Sequence, residues 1–191
     1  MQRYFLQQSF DELKSAIIQG DDRKHIVNVM RMNIEDNIIA VSEGNAYLSE
    51  ITGISAEGVT IQQIEGPLAA NEIPINITIA CGLAKGDKHE LIVQKGTELG
   101  VSAIIQFKAE RSIVKWDEKK GAKKTERLQK IAKQAAEQCH RTVIPEIVNP
   151  LTIQQLISAA SNYDVLLFAD EEDAKSAIPH RIADRVKNMR D

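Results

Sequence analysis

Gln94-Lys95-Gly96-Thr97-Glu98-Leu99-Gly100-Val101, running on through Ser102-Ala103-Ile104-Ile105 to Glu110-Arg111-Ser112, reads as a helix end, a glycine stop, a strand and a charged tip. Asp87 stands at an N-cap position, ahead of a helix that carries Leu91, Ile92, Lys95 and Leu99 on one side. Gly100 falls where a helix C-terminus needs a residue tolerant of positive φ. The strand that follows delivers Glu110, Arg111 and Ser112 to one sheet edge, where open α/β sheets keep their sites.

The same alternation continues in both directions. Upstream, Ile75-Asn76-Ile77-Thr78-Ile79-Ala80-Cys81 alternates as a strand does. Downstream, residues 122–140 predict a long helix with an apolar stripe of Leu128, Ile131, Ala132, Ala135 and Cys139. Residues 146–148 form a short strand after Pro145. Thr152 can cap a helix holding Ile153, Leu156 and Ile157, and the near-continuous apolar run 163–168 reads as a strand buried on both faces. The tail after Pro179 reads as helical. Strands separated by helices imply a parallel sheet with covering helices.

The first 70 residues follow a different pattern. Strand candidates at 37–41, 46–54 and 59–64 are separated by turns at 42–45 and 55–58, each bearing a glycine. This spacing suggests a small antiparallel barrel. Residues 25–31 fit a helical turn or a strand equally well, and 66–74 reads as a linker. The expected domains are therefore 1–70 and 74–191.

Composition narrows the class. The 191 residues are 43% hydrophobic and 27% charged but only 4% aromatic, so the core rests on Ile, Val, Leu and Ala. No apolar run approaches the roughly 20 residues of a bilayer span, and the start lacks a secretory apolar region, which makes the cytoplasm the simplest expectation. Cys81 and Cys139 show no metal or redox spacing, and the four histidines form no paired motif, so no metal is expected. The net charge of −3 conceals an asymmetry. Residues 1–70 carry 5 basic and 10 acidic side chains, whereas 108–141 carry 11 basic and 5 acidic ones. The basic segment surrounds Trp116, and one aromatic among lysines suits a polyanion with stacking bases, although Glu126 four residues before Lys130 also fits a solvated helix face. Gly82-Leu83-Ala84-Lys85-Gly86-Asp87 lacks the Gly-Lys-Ser/Thr ending of a P-loop, which weakens a nucleotide-hydrolysing reading in favour of a structural turn.

Four groups of residues carry a resemblance. Gln94 to Gly100 with Glu110-Arg111-Ser112, then Ala135-Ala136-Glu137-Gln138-Cys139-His140-Arg141 with Ile144-Pro145, resemble two signatures of the RsmE family. Arg3-Tyr4-Phe5 and His25-Ile26-Val27-Asn28-Val29-Met30-Arg31 resemble its first-domain pattern. The family consists of bacterial methyltransferases that modify N3 of a uridine in small-subunit (16S) ribosomal RNA. The resemblance implies a PUA-like β-barrel followed by a SPOUT domain, a parallel sheet with a C-terminal trefoil knot. It further implies S-adenosylmethionine as cofactor, a homodimer, and 16S ribosomal RNA or the small subunit as partner.

Carried onto these positions, the resemblance assigns Arg111 and Arg141 to the catalytic region. It gives RNA contacts to Arg3, Arg31, Lys85, Arg111, Lys124 and Arg141, and one cofactor wall to Phe168, Ala169 and Glu171. No residue stands out as general base. The family's Gly-Pro-Glu-Gly-Gly loop and a later arginine-rich segment do not occur in these residues, so the implied SPOUT domain is C-terminally incomplete. The alternative is a noncatalytic RNA-binding protein without a complete cofactor pocket.

Overall fold

A computed structural model describes residues 1–83, 87–109 and 118–169. The chain divides into a unit of Met1–Gln154 and a second of Gln155–Asp191.

The larger unit begins with five strands: β1 (Arg3–Phe5), β2 (Ser15–Ile18), β3 (Asn37–Ser42), β4 (Asn45–Ile54) and β5 (Val59–Leu68). They form one sheet in the order β1-β3-β4-β5-β2. All pairs are antiparallel except β1 with β3, a departure from the all-antiparallel expectation. The β3–β4 hairpin turns on Glu43 and Gly44 at φ 50° and 77°, the pair of positive values that a two-residue turn matched to strand twist requires. Register shifts between β4 and β5 coil the sheet so that it wraps a core. Tyr4, Ile26, Ile38, Ala40, Ile51, Val59 and Ile61 fill that core. Ile39, Val41 and Ala46 form a smaller cluster, so β3 is buried on both faces. The ambiguous segment after β2 is helical: α1 (Gly20–Lys24) runs into a π-helical turn, His25–Val29. β5 extends to Leu68, through residues expected to belong to the linker.

A parallel sheet follows, with β6 (Thr78–Gly82), β7 (Ala103–Lys108) and β8 (Glu146–Thr152) side by side among the described residues. Between them lie α2 (Lys88–Glu98) and α3 (Glu118–Gln138). Val93 of α2 and Leu128 and Ala132 of α3 pack on Ile104 and Ile147, so both helices cover one face. Gln129 ties α3 to the sheet, donating to the Pro145 carbonyl and accepting from the Ile147 amide, each at 3.0 Å.

The side of α2 that carries Leu91, Ile92, Lys95 and Leu99 is not the one that packs on the sheet. Leu91 and Leu99 are exposed, and the buried face is His89, Val93, Gly96 and Thr97. Close packing sets this phase. A Cβ at Gly96 would lie 3.4 Å from both Ile104 Cδ1 and Val101 Cγ2, so a small residue there brings the helix onto the sheet. Asp87 occupies the N-cap position, but its side chain makes no capping hydrogen bond. At the other end Gly100 has φ 96°, and Val101 N donates to Gly96 O, as the glycine stop predicted.

α4 (Ile153–Ala160) follows β8. Beyond it the expected strand 163–168 is not formed. None of its backbone pairs with a strand among the described residues, and Leu166, Leu167 and Phe168 are exposed. An apolar run becomes a central strand only where neighbours exist on both sides to accept its hydrogen bonds. The helical tail predicted after Pro179 lies outside the described residues.

Candidate functional site

Arg141 is the best-defined charged group of the larger unit, and it points inward. α3 ends with His140 at φ 62°, while Arg141 N donates to Ala136 O, a left-handed helix stop built on histidine rather than glycine. The turn directs the Arg141 side chain beneath the end of α2. Nη1 donates to Val101 O at 2.7 Å and Thr97 O at 3.2 Å, and a cation there is favoured by the helix dipole. Nε and Nη2 donate to Glu72 Oε2 at 3.0 and 2.7 Å. Glu72 Oε1 accepts in addition from Thr142 N at 2.7 Å and Val143 N at 3.2 Å. Burial works against ionisation of Glu72. Its bonds from Arg141, Thr142 and Val143 and the charge of Arg141 outweigh that, and hold the carboxyl below its ordinary range. Arg141 is only 5% exposed, so its guanidinium serves as a clamp. An RNA contact through it would require breaking these bonds.

Arg3 joins the same cluster from β1, donating through Nη1 to Arg141 O at 3.0 Å. Its Nε is buried and has no partner among the described residues. A second tether lies further back on α3, where Lys133 Nζ reaches Asp22 Oδ1 of α1 at 2.5 Å and Glu137 Oε1 at 2.8 Å. Burial opposes the Lys133 charge, yet its bonds to Asp22 and Glu137 hold the ammonium above its ordinary range. A cleft of about 880 Å³ opens between these tethers. Arg3, Tyr4 and His25 stand on the barrel side, and Glu90, Gln94 and Gln134 on the helices. Tyr4 Oη lies 2.9 Å from His25 Nδ1, the rings meeting edge to face.

The remaining cations differ. Arg31 is exposed at the end of the π-helical turn, in a left-handed conformation at φ 52°. Lys124 is exposed on α3. Further along that helix Lys130 pairs with Glu126, and Arg127 with Glu90, so part of the basic segment is neutralised locally. Lys85, Arg111, Trp116 and Glu171 lie outside the described residues. Phe168 and Ala169, the described part of the expected cofactor wall, are exposed, Phe168 at 88%. They do not by themselves make a cradle for S-adenosylmethionine. Among the described residues no cluster of His, Cys, Asp and Glu could hold a metal ion.

Comparison with known proteins supplies the family. Residues 18–64 match an RNA methyltransferase PUA domain, and residues 71–188 an RNA methyltransferase domain. Ribosomal RNA small subunit methyltransferase E of Bacillus subtilis (strain 168) is 45% identical over 179 residues, 92% of this chain and 70% of that protein. The chain belongs to the ribosomal RNA small subunit methyltransferase E family. A solved family member, from Neisseria gonorrhoeae and bound to S-adenosyl methionine, superposes with a TM-score of 0.75 at 27% identity. That match covers 82% of this chain and 65% of the Neisseria chain. A crystal structure described as a hypothetical protein matches with a TM-score of 0.82 at 43% identity, over 91% of this chain and 73% of that one. The family fold is a PUA-like domain joined to a parallel-sheet methyltransferase domain, which is the order of sheets described above.

Sequence reasoning missed three features of this family member. Glu72 sat inside an apparent linker, and its only signal was a lone carboxylate among Leu68, Ala69, Ala70, Ile73 and Pro74. Gln106 was read as part of a strand. It is fully buried on β7, and among the described residues neither its amide nitrogen nor its oxygen has a partner. His89 is buried with Nδ1 3.9 Å from Cys81 Sγ. Burial, helped by the charge of Lys124, holds the imidazole below its ordinary range, and burial pushes the Cys81 thiol up. Both groups are thus neutral near pH 7, which leaves Cys81 poorly suited to act as a nucleophile.

Proposed function

We propose that this chain joins an RNA-binding barrel to the catalytic domain of an S-adenosylmethionine-dependent methyltransferase. Its substrate is small-subunit ribosomal RNA, and its acceptor the N3 atom of a uridine. The observation that carries this reading is the match to both family domains in order along one chain, with 45% identity to the Bacillus subtilis protein. S-adenosylmethionine would supply an electrophilic methyl group. The contribution of the chain's own residues is to hold the RNA in register, since orientation of the reacting groups can supply several kcal/mol of a barrier.

Arg31 on the barrel and Lys124 on α3 are exposed, and both are kept as phosphate contacts. Lys85 and Arg111 are kept as further RNA contacts, and Phe168, Ala169 and Glu171 as one side of the cofactor site. The protein works as a homodimer in the cytoplasm on this reading.

The test is transfer of labelled methyl from S-adenosylmethionine to small subunits that lack the modification, with mass spectrometry of the nucleosides. Appearance of 3-methyluridine supports the proposal. RNA binding without any methyl transfer would favour a noncatalytic RNA-binding protein, and methylation at another atom would overturn the acceptor assignment.

A further inference from the structure

We infer that Glu72 is a positioning residue: it fixes how the barrel is presented to the parallel sheet, and through that how RNA is delivered. The inference rests on the RNA methyltransferase reading for its consequence in catalysis, but its structural content stands apart from it. Among the described residues Glu72 forms no hydrogen bond with the barrel, although its charge acts on Arg3 of β1. It acts through Arg141. One carboxylate oxygen receives the amides of Thr142 and Val143, and the other receives Nε and Nη2 of Arg141. These bonds immobilise the backbone just after α3, and the carbonyl of Arg141 is left facing Arg3 of β1 at 3.0 Å. The same guanidinium binds the carbonyls of Thr97 and Val101, so one side chain joins the linker, the end of α2 and the end of α3.

Among the described residues two polar tethers therefore link the barrel to α3, beside the packing of β1 on that helix. The first is Arg3 to Arg141 O, and the second is Lys133 to Asp22, on a residue two turns earlier in α3. A single tether leaves a pivot; two separated along one helix define an orientation. Glu72 governs the first. The cleft that Tyr4 and His25 line on the barrel side adjoins both tethers, through Arg3 of the first and through Glu137, which bonds Lys133 of the second. Charge matters as well as shape. In Glu72→Gln the NH₂ group would replace an oxygen that now accepts from Arg141, and a donor would face a donor.

The experiment measures orientation and kinetics separately. Spin labels are placed at exposed Glu57 and Lys123, with Cys81 and Cys139 replaced by serine, and the distance distribution is read by double electron–electron resonance. The expected result is a narrow distribution in the parent and a broadened one in Glu72→Gln. Arg3→Met cuts the first tether while leaving Arg141 and Glu72 intact, so it should broaden the distribution too, and it serves if Glu72→Gln fails to fold. In methyl transfer, Glu72→Gln should raise KM for small subunits about tenfold, since misplacement on the order of 1 Å is costly. Calorimetric affinity for S-adenosylmethionine should change less than about twofold, because on this account Glu72 acts on the barrel and leaves cofactor binding alone. Unchanged distributions in both variants overturn the inference, whatever the kinetics. A parent that methylates nothing removes the proposed function and leaves the distance result to decide the role of Glu72.

Discussion

Arg141 Nη2 lies 2.7 Å from Glu72 Oε2, and the two residues are 69 positions apart in the chain. The pair joins the segment between the two sheets to the end of α3. Removing the carboxylate leaves an almost fully buried guanidinium with only carbonyls to satisfy it. Glu72→Ala and Arg141→Ala should each destabilise the protein by about 3–5 kcal/mol, the range for breaking one side of a buried ion pair. Urea midpoints measure this. An Arg141→Ala protein of unchanged stability but weakened RNA affinity would instead make Arg141 a direct RNA contact.

The same pair gives an acid-side signature. The folded carboxyl of Glu72 is held below its ordinary value of 4.5. Its contribution is therefore complete above the unfolded pKa and is lost as pH falls through 4.5 toward the lower folded value. His89 behaves similarly from a higher start. Its folded pKa lies below 6.5, so the unfolded chain takes up the proton first and stability declines as pH drops below 6.5. Melting temperatures from pH 8 to 4 should fall in two stages. Glu72→Gln should flatten the lower stage only, and a melting curve unchanged in shape would contradict the assignment.

Gln106 places inside the parallel sheet a carboxamide that has no partner among the described residues. Gln106→Met keeps the length and removes the unpaired polar atoms, which should raise stability by about 1–3 kcal/mol. Chemical denaturation compares the two proteins. Loss of stability in the methionine variant would mean that the amide has a partner in solution.

Gly100 combines φ 96° with a close neighbour, since a Cβ there would sit 3.2 Å from Ile73 Cδ1. Gly100→Ala should cost about 1–2 kcal/mol from backbone handedness, with displacement of Ile73 added. Gly96→Ala, where the new Cβ meets neighbours at 3.4 Å, should cost less. Equal losses at both positions would remove the argument from φ.

RNA affinity should respond to the exposed cations singly and through salt. Arg31→Ala and Lys124→Ala should each weaken binding and lower the salt slope by about 1, as expected when one phosphate contact is lost. Filter binding of ribosomal RNA over a salt series measures both. Slopes identical to the parent would exclude these two side chains from the interface.

Local physics made much of the fold legible. Strand candidates at 37–41 and 46–54 flank a turn on Glu43-Gly44, and the structure has the hairpin there. Gly100 ends α2 because the φ it adopts is open to glycine at little cost, and Leu128, Ala132 and Ala135 mark the buried side of α3 by spacing alone. These features depend on neighbours within a few residues, and a sequence contains such neighbours explicitly.

Other features were settled by partners distant in the chain. Leu91 and Leu99 are large apolar residues, yet the packed side of α2 uses Val93, Gly96 and Thr97, and the value of Gly96 lies in its size against Ile104 and Val101. The run 163–168 has strand composition but no pairing partner among the described residues. Arg141 looked like an exposed phosphate ligand beside a helix end. Its direction was set by Glu72 and by a helix stop on His140, and its carbonyl by Arg3, 138 residues away. The sequence by itself determined the β3–β4 hairpin, the glycine stop of α2 and the buried stripe of α3, since backbone preference and periodicity are local. Only the tertiary structure decided which charges face solvent and which are consumed in holding the protein together, because desolvation and pairing depend on what folding brings alongside.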